Sequence, residues 1–214
     1  KLEEADKQWA AYAKNLNSNL EDDPEFILPI VVHIIHNNGD ENIPDAQVLQ
    51  GIQYLNDAFA NLDYYDQGTG LDTKIQFCLA KQTPQETPTT GINRVQSPLT
   101  DLVIDQDIEM KNLSRWDPTK YINVWVIKDA CYPDDECGVV GYAYLPTAHG
   151  SLKDGIVIEA DFFGESPEKT AAMIHEMGHY LGLYHTFRNG CNNADCLLSG
   201  DRVCDTPPDQ SSAA

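Results

Sequence analysis

The segment from Phe26 to His36, FILPIVVHIIH, constrains the fold more than any other part of the chain. It is a dense apolar run rich in β-branched residues, and it reads as a strand buried on both faces of a sheet. Such a strand needs cover above and below. Pro44 opens a helical pattern that runs to about Leu62 and carries Val48, Ile52, Leu55 and Phe59 on one face. Further strands are predicted at Thr73–Ala80, Tyr121–Ile127, Val139–Leu145 and Gly155–Ala160, with an Asn-Gly turn after the first strand and a Pro/Thr-rich loop over 83–90. Leu2, Ala5, Trp9, Tyr12, Ala13 and Leu16 have helical spacing, so residues 1–25 form either a helix laid against the domain or the remnant of a pro-region. The pattern is that of an α+β fold: a mixed sheet with two long helices, followed from 186 to 214 by a loop-like stretch rich in Asn, Asp, Gly, Cys and Pro.

Charge narrows the function classes. The chain has 14 basic and 34 acidic residues, a net charge of −20. Nucleic-acid phosphates would be repelled by such a surface. It suits solubility, bound cations or basic substrates. No stretch approaches 18 consecutive apolar residues, so no membrane span is expected. Six cysteines, at 78, 131, 137, 191, 196 and 204, sit mostly in loops. Their even number predicts disulfides and an oxidising compartment, with Cys131–Cys137 able to close a small loop around a Pro-Asp turn. No pair has the Cys-x-x-Cys spacing of a cysteine zinc site.

The chemistry is concentrated in one helix. Ser166-Pro167-Glu168 is a helix start, with a capping hydroxyl, a proline at the first position and an acid against the dipole. The helix is predicted to run to about Leu181 and to stop at Gly182. His175 and His179 lie at i and i+4, so both imidazoles can reach one ion. Glu176 sits on the edge of that face, where it can take a proton from a metal-held water without ligating the ion. Gly182 turns the chain so that His185 approaches from another direction. Three neutral nitrogens with an open fourth position suit catalytic zinc. About one chain of this length in ten thousand would carry all five residues by chance, taking about one in twenty per position. His33, His36 and His149 lie outside this constellation and read as structural or exposed. Tyr142, Tyr144 and Leu145 either line a cleft or simply pack.

The motif from His175 to His185 resembles the metzincin metallopeptidases. Its flanks are similar to the pappalysin family: Tyr184-His185-Thr186-Phe187, the run from Gly138 to Pro146, the run from Gly200 to Pro207, and Ile75–Ala80 leading into Gly91–Arg94. The resemblance covers roughly residues 26–208. It implies a metzincin catalytic domain with a twisted, mostly parallel five-stranded sheet, a backing helix and an active-site helix, whose antiparallel rim strand takes extended peptide by strand addition. Residues 26–185 are then the N-terminal catalytic subdomain and 186–214 the start of an irregular C-terminal one. It further implies a secreted zinc endopeptidase (periplasm or cell surface being alternatives) acting on protein or peptide substrates as a monomer. His175, His179 and His185 become zinc ligands and Glu176 the general base. Calcium is expected at Asp201, Val203 (through its carbonyl) and Thr206, with Ser199 a further candidate; an ordinary Asx turn is the alternative. Metzincins place a methionine turn beneath the zinc, downstream of the third histidine. Met110, Met173 and Met177 all lie upstream. Either the sequence is part of a longer chain, which is the expectation, or the protein lacks that subdomain. In the second case a catalytically weak, metal-containing peptide-binding module becomes the alternative function.

Overall fold

The computed structural model describes residues 25–133, 137–190, 199–204, 206 and 209–210. The helix expected within residues 1–25, as well as Cys191 and Cys196, lies outside the described residues.

Strand β1 (Phe26–His36) forms over the apolar run, and its inner residues are fully buried. It is long enough to take two partners in succession along one edge. β2 (Ile75–Leu79) pairs in parallel with Phe26–Ile30, and β3 (Ile92–Gln96) takes over along Val32–His36. The handover occurs at Gly91, whose carbonyl accepts from Val32 N at 2.9 Å. Its φ of 78°, and the 2.8 Å that would separate a Cβ from Ala80 N, leave room only for glycine. On the other edge of β1 lies β5 (Ile122–Ile127), then β8 (Ile156–Glu159), both parallel, and finally the antiparallel β7 (Gly141–Ala143) at the rim. The expected five-lane sheet is therefore built from six strands, because β2 and β3 share a lane. β3 was not predicted as a strand: its residues are only partly covered and alternate weakly.

Helices α1 (Asp45–Phe59) and α3 (Pro167–Tyr180) cover one face. Val48, Ile52 and Leu55 of α1 join Met173 and Met177 of α3 against Ile30, Val32 and Ile34. The other face carries short elements that the sequence pattern did not reveal: α2 (Asp107–Asn112) and the parallel pair β4 (Asp101–Val103) and β6 (Asp129–Cys131). Each is three to six residues long, too short to show a period. Leu102, Met110 and Ala130 pack there against Ile35, Trp125 and Val157. His33 lies on this face, stacked on Trp125 and bonded to Asn123 Oδ1 at 2.9 Å. Burial pulls its pKa down to about 4, so it is neutral and structural. Cys131 and Cys137 form a disulfide, and Cys204 is disulfide-bonded as well, whereas Cys78 is free and exposed. No helix among the described residues is long and apolar enough to cross a membrane.

Candidate metal centre

Helix α3 is set at both ends by its own sequence. Ser166 Oγ accepts from Lys169 N at 3.2 Å, and Pro167 occupies the first position. At the other end Gly182 (φ 109°) donates to His179 O at 3.0 Å, and Leu183 N donates to Gly178 O at 2.9 Å. These two bonds satisfy the last carbonyls in the pattern of a Schellman motif. Thr170, Met173 and Met177 form the buried stripe. The stripe fixes the rotation of the helix, and with it the direction of every other side chain.

The terminating turn also selects a tautomer. His179 Nδ1 lies 2.7 Å from the Leu183 carbonyl, to which it donates, so Nε2 carries the free lone pair. Beyond the turn His185 swings back, and its Nε2 lies 3.0 Å from Nε2 of His175 and 2.9 Å from Nε2 of His179. The His185 ring is seated by stacking on Phe187 at 4.6 Å between centroids. The three nitrogens face a cavity of about 350 Å³ lined also by Leu183, Phe187 and Asp201. Burial, reinforced by the neighbouring imidazoles, lowers the pKa of His175, and burial together with His179 lowers that of His185. His175 and His185 are therefore biased towards the neutral form.

This donor set fits a metal ion. Three Nε2 atoms converge although one proton can bridge only one pair of them, so the remaining lone pairs repel unless a cation lies between. A tetrahedral ion with zinc–nitrogen bonds of about 2.0–2.1 Å holds its nitrogens about 3.3 Å apart. The observed spacing approaches that. The triad is the one group of at least three His, Cys, Asp or Glu ligands so placed among the described residues.

Glu176 points to the rim strand. Burial raises its carboxyl pKa, an effect partly opposed by His179 and by the nearby backbone N–H of Ala143. Gly141 makes the approach feasible: a Cβ there would lie 2.7 Å from Ile158 Cδ1 and 3.5 Å from Glu176 Cγ. These backbone partners of the site, the Leu183 carbonyl and the Ala143 N–H, escaped sequence reading because main-chain groups carry no residue signature. Gly182 was the available signal for the first.

The other candidates are placed as follows. Asp201 Oδ1 accepts from Val203 N at 2.9 Å, and Val203 O accepts from Thr206 N at 3.2 Å. That is an Asx turn followed by a second turn, formed by the residues expected to hold calcium. Ser199 is buried. His149 bonds through Nδ1 to the buried Asp154 at 3.0 Å, apart from the triad. Tyr142 packs into the core beneath the rim, while Tyr144 and Leu145 line a separate apolar groove with Tyr180 and Leu181.

Known proteins are similar to this chain. Residues 104–214 match the model of the peptidase M43 family, described as pregnancy-associated plasma protein-A. Extracellular metalloprotease 1 of Coccidioides posadasii is 38% identical over 116 residues, which are 49% of this chain and 37% of that protein. An extracellular metalloprotease of Arthroderma otae is 26% identical over 187 residues, covering 83% of this chain and 57% of the relative. The chain thus spans well under two thirds of the length of these curated relatives. The structure of mature mirolysin from Tannerella forsythia, in complex with a cleaved peptide, matches with a TM-score of 0.73 at 28% identity, over 88% of this chain and 73% of that one. The fold is that of a metzincin catalytic domain.

Proposed function

The chain belongs to the peptidase M43 family of pregnancy-associated plasma protein-A, and on that premise we propose that the protein is a zinc-dependent endopeptidase working outside the cell on protein or peptide substrates. His175, His179 and His185 hold the zinc, and Glu176 is the general base. The observation that carries this reading is the convergence of three Nε2 atoms, those of His175 and His179 lying 3.0 and 2.9 Å from that of His185, beside a half-buried carboxylate one residue along the helix from the first ligand. Bound there, zinc would supply a Lewis acid for the scissile carbonyl and acidify a water. Glu176, its pKa raised by burial, accepts the proton of the attacking water and delivers it to the leaving amine. His179 is kept in the ligating tautomer by the Leu183 carbonyl. Among the described residues the outer edge of β7 has no partner strand, which suits an extended peptide laid across the site rather than a chain end. The relatives' name, extracellular metalloprotease, and the Cys131–Cys137 disulfide support an exported protein.

The test uses the full-length protein loaded with zinc and an unfolded protein substrate. Cleavage should be chelator-sensitive, and Glu176→Ala should lower its rate by about 10²–10⁴-fold while the zinc content stays at one per chain. Cleavage by the variant at the wild-type rate would sink the mechanism. A wild-type protein that holds zinc and binds the substrate without cutting it would point to a peptide-binding module instead.

A further inference from the structure

The rim strand is three residues long and pairs only through Gly141↔Ile158, Tyr142↔Val157 and Ala143↔Ile156. So short a ladder on a sheet edge does not hold itself. By strand alternation Gly141 and Ala143 face α3 and Glu176, whereas Tyr142 and Tyr144 face the opposite side. On that side lies a pair of charges with no role in the metal centre. Asp107 and Lys111, one turn apart on α2, are 3% and 0% exposed, and their side chains form an ion pair at 3.0 Å. Tyr142 OH donates to Asp107 Oδ1 at 2.7 Å. Lys111 Nζ lies 4.7 Å from the centre of the Tyr144 ring and donates to Lys153 O at 2.7 Å. Lys111 Nζ also lies 5.6 Å from the centre of the Tyr142 ring, so Tyr142 and Tyr144 of the rim are both held against the pair.

A buried ion pair is a poor way to stabilise a fold, since desolvation offsets most of the attraction. Among the described residues Asp107 Oδ2 makes no hydrogen bond. The geometry of the pair serves the strand. We infer that Asp107 and Lys111 are positioning residues for peptide cleavage: through Tyr142 and Tyr144 they fix the rim strand, and so the substrate-binding edge and the Ala143 N–H that meets Glu176. The inference rests on the peptidase reading for its consequence but not for its geometry. The groups facing Lys111 are Asp107 and Arg115 from α2 and its continuation, Asp154 from the loop before β8, and the two tyrosines.

Two variants of the full-length, zinc-loaded protein test it. Tyr142→Phe removes one hydroxyl and should raise KM for an extended peptide about tenfold, with kcat within about threefold of wild type, as the loss of one ordering hydrogen bond would. Zinc content should not change. The double variant Asp107→Leu with Lys111→Met removes both charges together and should regain much of the wild-type thermal stability, while KM stays raised about tenfold. A purely structural pair predicts the opposite, with stability and KM returning together; that result, or an unchanged KM in Tyr142→Phe, overturns the inference. Should the double variant fail to fold, Tyr142→Phe decides alone. Amide hydrogen exchange gives a readout independent of activity: in Tyr142→Phe it should quicken at 141–144 and stay unchanged along α3. Unaltered exchange at the rim overturns the anchoring even if the wild-type protein proves not to cleave, a result that would count separately against the peptidase reading.

Discussion

Glu176 stands between two elements that keep their shape by different means. Below it, α3 is a regular helix with a capping serine, a proline at its first turn, a Schellman stop and a buried stripe of Thr170, Met173 and Met177. Nearly every group that defines it is a neighbour in the chain. Above it, β7 is a short edge strand whose side chains reach thirty or more residues back, to Asp107 and Lys111. The proposed metal ligands sit on or just beyond the self-sufficient element; the surface a peptide would lie along sits on the borrowed one. On the proposed function, a site divided in this way can lose its grip on substrate without losing its metal.

Three measurements would break or sharpen that contrast. The largest effect is expected from Lys111→Met alone, which leaves Asp107 as an uncompensated buried charge. It should cost about 3–5 kcal/mol in urea unfolding of the full-length protein, with the earliest loss of exchange protection at the rim rather than in α3. Next comes pH. Burial, working against the attraction of Asp107, lowers the Lys111 pKa from 10.5 to about 8. Between about pH 8 and 10.5 the unfolded chain keeps a proton that the folded one has released, so this residue makes the fold more stable as pH rises through that window. The cost of burying the charge is fully present below about pH 8. The stability gap between wild type and Lys111→Met should therefore widen, by up to about 3 kcal/mol, from pH 8 to 10.5; a gap that narrows would contradict the burial of a charged lysine. The smallest effect is expected at the other element. Ser166→Ala removes the cap of α3 and should cost about 1 kcal/mol, with no change in KM for peptide. A raised KM there would mean that the helix and the rim are less separate than they look.

The same division decides how much could be read in advance. The span of β1 was legible to the residue because an unbroken apolar run has no other stable use. Both ends of α3 were legible because capping chemistry acts within five residues. His175, His179 and Glu176 followed from helical spacing, and Gly182 signalled the turn that returns His185. Nothing local marks β3, which exists because β1 is longer than β2 and offers it an edge. Nor does anything in Asp107-Ile108-Glu109-Met110-Lys111 mark a buried pair, since both residue types are ordinarily exposed.

By itself, then, the sequence determined the buried central strand, the two long helices and a three-histidine set with an acid beside it. These depend on periodicity and on contacts a few residues apart. Only the tertiary structure decided which main-chain groups complete the site, where the rim strand lies and what holds it there. The Ala143 N–H and the Asp107–Lys111 pair act through backbone direction and long-range burial, and those come into being only when distant segments pack.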